Sequence, residues 1–95
     1  MMFVEINRSG KYSKFIMIPK SYVKELGWSW SDKLLFEQHG NVITISRTDQ
    51  ASENVRRLRL NGYSYIVTIP KKIAKELNLD WVEVEIVEDK IMIEY

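Results

Sequence analysis

Short apolar runs separated by turn residues recur along this chain, and the same order of runs occurs twice. Met2–Arg8 alternates loosely between apolar and polar residues, which predicts a strand, with a turn at Ser9-Gly10. Tyr12–Ile18, rich in Phe and Ile, predicts a second strand. The period then changes. Pro19 pre-sets a helical φ at a helix start, and Tyr22, Val23 and Leu26 share one face of Lys20–Leu26. Gly27 follows as a helix stop. Lys33–Gln38 and Val42–Ser46 then read as a hairpin about Gln38-His39-Gly40-Asn41.

The second round repeats the plan. Val55–Leu60, an Asn61-Gly62 turn and Tyr63–Ile69 predict a hairpin, since Asn-Gly between apolar runs is a strong hairpin signal. Pro70 opens a short helix bearing Ile73, Ala74 and Leu77, and a hairpin of Val82–Val87 with Lys90–Glu94 ends it. The match extends to identities. MIPKSYVKEL at Met17–Leu26 returns as TIPKKIAKEL at Thr68–Leu77, Tyr12-Ser13 as Tyr63-Ser64, and Trp30 as Trp81. Repeat 1 spans about 1–47 and repeat 2 about 55–95, with polar 48–54 as linker. The alignment has gaps. Pairing Gly10 with Gly62 leaves Lys11 as an extra residue, and Trp28–Asp32 carries about two more than its counterpart. The facing of Arg8 and Arg59 therefore stays open by one residue, enough to flip a strand side chain.

Composition limits the architecture. Ninety-five residues make one domain, 1–95, while half that length sits near the size where folding alone usually needs disulfides or metals. The chain has no Cys, so the halves are expected to share one core. No segment is apolar and long enough to span a membrane and the N-terminus lacks a signal-like apolar stretch, so a cytoplasmic setting is expected. Eight short strands and two short helices leave exposed edges in an open sheet, and closure into a barrel removes them. Ile6, Ile16, Ile18, Leu35, Val42, Ile45, Leu58, Val67, Ile69, Val84, Ile86, Ile91 and Ile93 are the expected lining. Trp28, Trp30 and Trp81 read as core plugs or an oligomer contact, core favoured, and Tyr12, Tyr63 and Tyr65 as barrel-end packing, favoured over stacking on nucleic acid.

A β-hairpin, an Ile-Pro-Lys step into a short helix ending Lys-Glu-Leu, and a closing Ile-rich hairpin resemble the AbrB/MazE/SpoVT DNA-binding domain. The resemblance covers both halves. It implies a mostly β fold with two short helices: a swapped-hairpin (AbrB-like) β-barrel of two tandem ββαββ repeats, an intramolecular pseudo-dimer. It also implies a prokaryotic or viral source. Members of that family use basic residues about eleven positions before the proline, and again in the helix, on DNA. Arg8 and Arg59 hold the first position in an ungapped alignment, and Lys24 and Lys75 the second. Four positions before the proline, often Arg in the family, stand Phe15 and Ile66, which implies unequal halves.

Charge distribution agrees with a nucleic-acid partner. The net charge is only +1, but Arg8, Lys11, Lys14, Lys20 and Lys24 crowd the first hairpin and helix. Arg56, Arg57, Arg59, Lys71, Lys72 and Lys75 crowd the second, while Glu83, Glu85, Glu88, Asp89 and Glu94 mark the closing hairpin. The candidate DNA contacts are Arg8, Lys11, Lys14, Lys20, Lys24, Arg57, Arg59, Lys71, Lys72 and Lys75. On residue type alone, solvated surface charge explains the same lysines. The sequence offers no Cys nucleophile, metal-ligand cluster, phosphate loop or Ser/His/acid set, so neither an enzyme nor a cofactor or metal is expected.

The expected function is a double-stranded-DNA-binding transcriptional regulator. Two alternatives stay open: a MazE-type antitoxin, and an interaction module that has lost DNA binding and docks partners on its acidic hairpins. The sequence ends at Tyr95 beside the last strand, so a tail that wraps a toxin is not expected. Self-association beyond the pseudo-dimer stays open.

Overall fold

The computed structural model describes residues 2–10 and 13–95. The first half runs β1 (Met2–Ser9), β2 (Ser13–Ile18), α1 (Lys20–Leu26), β3 (Lys33–His39) and β4 (Val42–Arg47). The second runs β5 (Val55–Arg57), β6 (Arg59–Asn61), β7 (Ser64–Thr68), α2 (Lys71–Ala74), β8 (Trp81–Val87) and β9 (Lys90–Glu94). The nine strands form one antiparallel, nearly closed barrel in the order β5-β3-β4-β9-β8-β1-β2-β7-β6. Closure leaves few free ladder groups to template aggregation.

The halves interleave instead of sitting side by side. β2 pairs with β7, β4 with β9, β1 with β8 and β5 with β3, so each of these ladders crosses from one half to the other. In β2–β7, Ile16 lies opposite Val67, its own repeat equivalent, with Phe15 opposite Thr68 and Met17 opposite Ile66. A pseudo-twofold axis therefore passes through the Ile16–Val67 pair. It leaves at the far side through β4–β9, where Ile43 faces Ile93 and Ile45 faces Ile91. This is the swapped-hairpin arrangement, with both hairpins held in one chain.

One expected strand is two. Val55–Leu60 breaks at Leu58, which is fully buried, so that β5 pairs with β3 while β6 pairs with β7. The backbone of Leu58 leaves the ladder because it bonds elsewhere: its N–H donates to Asp32 O (2.9 Å) and its carbonyl accepts from Ser31 N (2.7 Å). In the first half the same change of partner occurs within β1, whose Met2–Glu5 pairs with β8 and Ile6–Ser9 with β2. Ile6 N donates to Asp80 O at 2.8 Å, which makes Ile6 the equivalent of Leu58 and Asp80 that of Asp32.

These contacts settle the gaps. The loop after β1 is one residue longer than Gly62-Tyr63, and five residues separate Leu26 from Asp32 where two separate the equivalent Leu77 from Asp80. Asp32 and Asp80 correspond, so Lys33 and not Trp30 occupies the Trp81 position. Trp30 belongs to the added loop. The Asn61-Gly62 turn is shifted too: Gly62 (φ 67°) and Tyr63 occupy the turn between paired Asn61 and Ser64. Positive φ at the first turn position alone is the type II′ pattern.

The core holds Ile6, Ile16, Ile18, Ile45, Leu58, Val67, Ile69, Val84, Ile91 and Ile93 as expected. Leu35 and Val42 are corrections. Leu34, Phe36 and Ile43 point inward instead, because side chains alternate and the inward set of these two strands lies one residue away. Ile86 is half-buried. Trp28 is a core plug, but Trp30 and Trp81 are 64% and 57% exposed.

Candidate nucleic-acid interface

The two helices start where β2 and β7 end. Pro19 follows β2 directly and Pro70 follows Ile69 after β7, so the helix starts flank the two ends of the β2–β7 ribbon. The β2–β7 register sets Pro70 level with Ser13, six residue steps from Pro19, so roughly 20 Å separates the starts along the ribbon. Lys20 and Lys24 accompany one start, and Lys71, Lys72 and Lys75 the other. Arg59 on β6 lies directly opposite Ile66, and its guanidinium donates to Thr68 Oγ1 at 3.2 Å. Phe15, Ile66, Thr68 and Arg59 line one shallow recess on this outer face.

At the opposite end of the pseudo-twofold, the outer faces of β3, β9 and β8 carry Glu37, Glu94, Glu83 and Glu85. Lys33 and Lys90 are their basic neighbours. The molecule is thus electrically polar along its pseudo-symmetry axis: basic about β2–β7, acidic about β4–β9.

Not every expected contact lies free on the basic side. Lys14 Nζ donates to Ala74 O (2.8 Å) and Leu77 O (2.7 Å), capping the carbonyl end of α2. Its charge serves the helix terminus. The reason is local. Helix α1 ends at Gly27 in the left-handed conformation (φ 69°), whose N–H closes onto Lys24 O. Repeat 2 has Asn78 there, and α2 finishes early through shorter bonds, Glu76 N to Ile73 O and Leu77 N to Ala74 O. Lys14 then bonds Leu77 O and shares Ala74 O with Leu77 N.

Arg8 and Arg59 are not equivalents. Asn7 lies opposite Phe15 as Arg59 lies opposite Ile66, and Arg8 lies opposite Lys14 as Leu60 lies opposite Tyr65. Arg59 therefore takes the outer face while Arg8 takes the other, at the barrel end, 3.7 Å from the Asp80 carboxylate. That exposed pair contributes little to stability. Arg57 donates to Ser31 O (2.9 Å), and Lys72 lies 3.6 Å from Glu53, both on the surface. Lys11 and Tyr12 lie outside the described residues.

Tyr65 is barrel-end packing against the core, whereas Tyr63 is 86% exposed at the turn tip, with Lys20 Nζ 5.5 Å from its ring centre. The signal for Tyr63 was its place in a two-residue turn, where neither side chain can face inward. Among the described residues, no group of His, Cys, Asp and Glu could hold a metal, and no helix is long and apolar enough to cross a membrane.

Residues 58–94 match the family model described as "Antidote-toxin recognition MazE, bacterial antitoxin". Over these residues the second half is similar to the AbrB/MazE-like domain. The match opens at Leu58, where the chain changes sheets, and runs through β6, β7, α2, β8 and β9. The matched half thus contains Arg59 and the three lysines of α2 and its end. No curated protein and no solved structure matches the chain.

Proposed function

We propose that this protein is a cytoplasmic transcriptional regulator that binds double-stranded DNA, with both halves acting as AbrB/MazE-like copies. The supporting observation is the charge polarity of the barrel. Lys20 and Lys24 at one end of β2–β7, Lys71, Lys72 and Lys75 at the other, and Arg59 between them offer cations on two sides of a pseudo-twofold axis. A duplex with approximate dyad symmetry presents phosphates in a matching arrangement. Phe15 and Ile66 replace charge at the centre, so the phosphate contacts lie toward the helix starts. Lys14 caps α2, Arg8 points away from this face beside Asp80, and Arg57 lies away from it on β5.

The test is a salt series of DNA binding by fluorescence anisotropy, on a random duplex and on the duplex upstream of the protein's own gene. Tighter binding to the upstream duplex, with a negative log–log salt slope, supports a regulator. Equal affinity indicates an architectural binder, and no binding at low salt sinks the reading.

A second reading, an antitoxin, is favoured by the description of the family model that residues 58–94 match. It predicts that a toxin encoded beside the gene copurifies with the protein after nuclease treatment.

A further inference from the structure

The two flanks of the barrel are built from equivalent positions and carry opposite charge. On one flank β1 pairs with β8, with Phe3 opposite Glu83 and Glu5 opposite Trp81. On the other β5 pairs with β3, with Val55 opposite Leu35 and Arg57 opposite Lys33. The hydrogen bonds of Ile6 to Asp80 and Leu58 to Asp32 place these sets in register. Glu5 and Trp81 therefore stand where Arg57 and Lys33 stand across the pseudo-twofold, and Phe3 and Glu83 where Val55 and Leu35 stand. All eight side chains share the outward face, since their neighbours Val4, Val82 and Leu34 are buried.

The first flank has the composition of a docking surface. Phe3 is 61% and Trp81 57% exposed, and with Met17, Pro19 and Tyr63 they line an open cleft of about 460 Å³. Lys20 also lines this cleft, but Glu83 lies directly opposite Glu94 across β8–β9, a like-charge pair that costs stability. An incoming cation relieves that repulsion, and Arg or Lys packs well on Trp81. The second flank supplies such cations in Arg57 and Lys33, Arg57 donating to Ser31 O in the loop that the first half adds.

We propose that the protein self-associates head to tail, the Glu5/Glu83/Phe3/Trp81 flank of one molecule docking on the Arg57/Lys33 flank of a second copy. Contact between like flanks would set Glu5 and Glu83 against themselves, or Arg57 and Lys33 against themselves. Opposite charge selects the heterologous contact, which generates rings or open chains according to its rotation. The molecule measures 30 × 27 × 25 Å, so either flank is smaller than half of a standard interface and the association is weak. It needs no DNA.

Sedimentation velocity without DNA tests this over roughly a hundredfold range of protein concentration, in low and high salt. The expected result is a weight-average mass that rises with concentration in low salt and falls back in high salt. Glu5→Lys/Glu83→Lys makes both flanks basic, and Lys33→Glu/Arg57→Glu makes both acidic. Each variant alone is expected to sediment as a compact monomer, its association weakened at least about tenfold. Mixing the two restores association, because each then meets a flank of opposite charge. A wild-type protein that stays monomeric throughout overturns the proposal. So does association that persists in either variant alone, or a mixture of the two compact variants that stays monomeric. DNA binding enters none of these outcomes, so failure here leaves the regulator reading untouched.

Discussion

The two halves share a core and differ in nearly everything around it. Ile16 and Val67, Ile18 and Ile69, Ile6 and Leu58, Ile43 and Ile91, and Ile45 and Ile93 are equivalent pairs, and every member is buried. Outside the core, Lys14 faces Tyr65 as its equivalent, Trp81 faces Lys33, and Gly27 faces Asn78. Two identical chains closing on a true twofold cannot differ in this way. Fusion into one polypeptide keeps the closure and frees each half to vary. It also makes closure independent of protein concentration, unlike that of a true dimer. The interior stays symmetric because the inward side chains of both halves line one shared core. The surface answers to local demands: a helix end to cap, a turn to close, a flank to charge.

The comparison is most sharply broken in the core. Leu58→Ala is expected to cost about 2–5 kcal/mol by denaturant unfolding, with Ile6→Ala in the same range. A much smaller cost for Leu58 would mean that the sheet switch of the second half is not a core anchor. Next is the helix end. Lys14→Met removes two charge-assisted bonds from half-buried carbonyls and is expected to cost about 1–3 kcal/mol while leaving the salt slope of DNA binding unchanged. Lys71→Ala/Lys75→Ala should do the reverse, with stability nearly intact and the slope reduced by about one unit for each phosphate that is no longer neutralised. Equal behaviour of the two variants in both assays would erase the distinction between capping and binding lysines.

The turns give a smaller contrast of opposite sign. Gly40 holds a left-handed φ of 63° between β3 and β4, while its equivalent between β8 and β9 is Glu88 at φ 60°. Glu88→Gly is therefore expected to stabilise by about 1 kcal/mol, and Gly40→Ala to destabilise by a similar amount, in thermal unfolding. The smallest effect is at the helix stops. Gly27→Ala at φ 69° should cost up to about 1 kcal/mol. Asn78→Gly should bring no gain, because Asn78 does not hold the left-handed conformation that glycine favours.

Much of this was legible in the chain. The Ile-Pro-Lys steps marked both helix starts, Gly27 marked the end of α1, the repeated order of runs implied two halves closing on each other, and the resemblance to the AbrB/MazE/SpoVT domain implied that they interleave. What failed, failed by one residue. In β3 and β4 the runs Leu34-Leu35-Phe36 and Val42-Ile43 are apolar on both faces, so alternation could not say which residues point inward. The inequivalence of Arg8 and Arg59 came from the same source, an extra residue in one turn. The break at Leu58 was hidden for another reason: its hydrogen bonds go to Ser31 and Asp32, far away in the chain. Lys14 as a cap was equally hidden, since the carbonyls it meets lie sixty residues on and belong to a helix whose early end no propensity announced. Of the candidate interface, the charge polarity was visible in the sequence. Which cations stand clear of structural duty was not.

The most direct test of the central claim asks which end of the pseudo-twofold meets DNA. Amide chemical-shift mapping by NMR, with a short duplex titrated into labelled protein, answers it. The account predicts perturbations at β2, β6, β7 and the starts of α1 and α2, with β4 and β9 silent. Perturbations centred on β4 and β9, or confined to the Phe3–Trp81 flank, would contradict it.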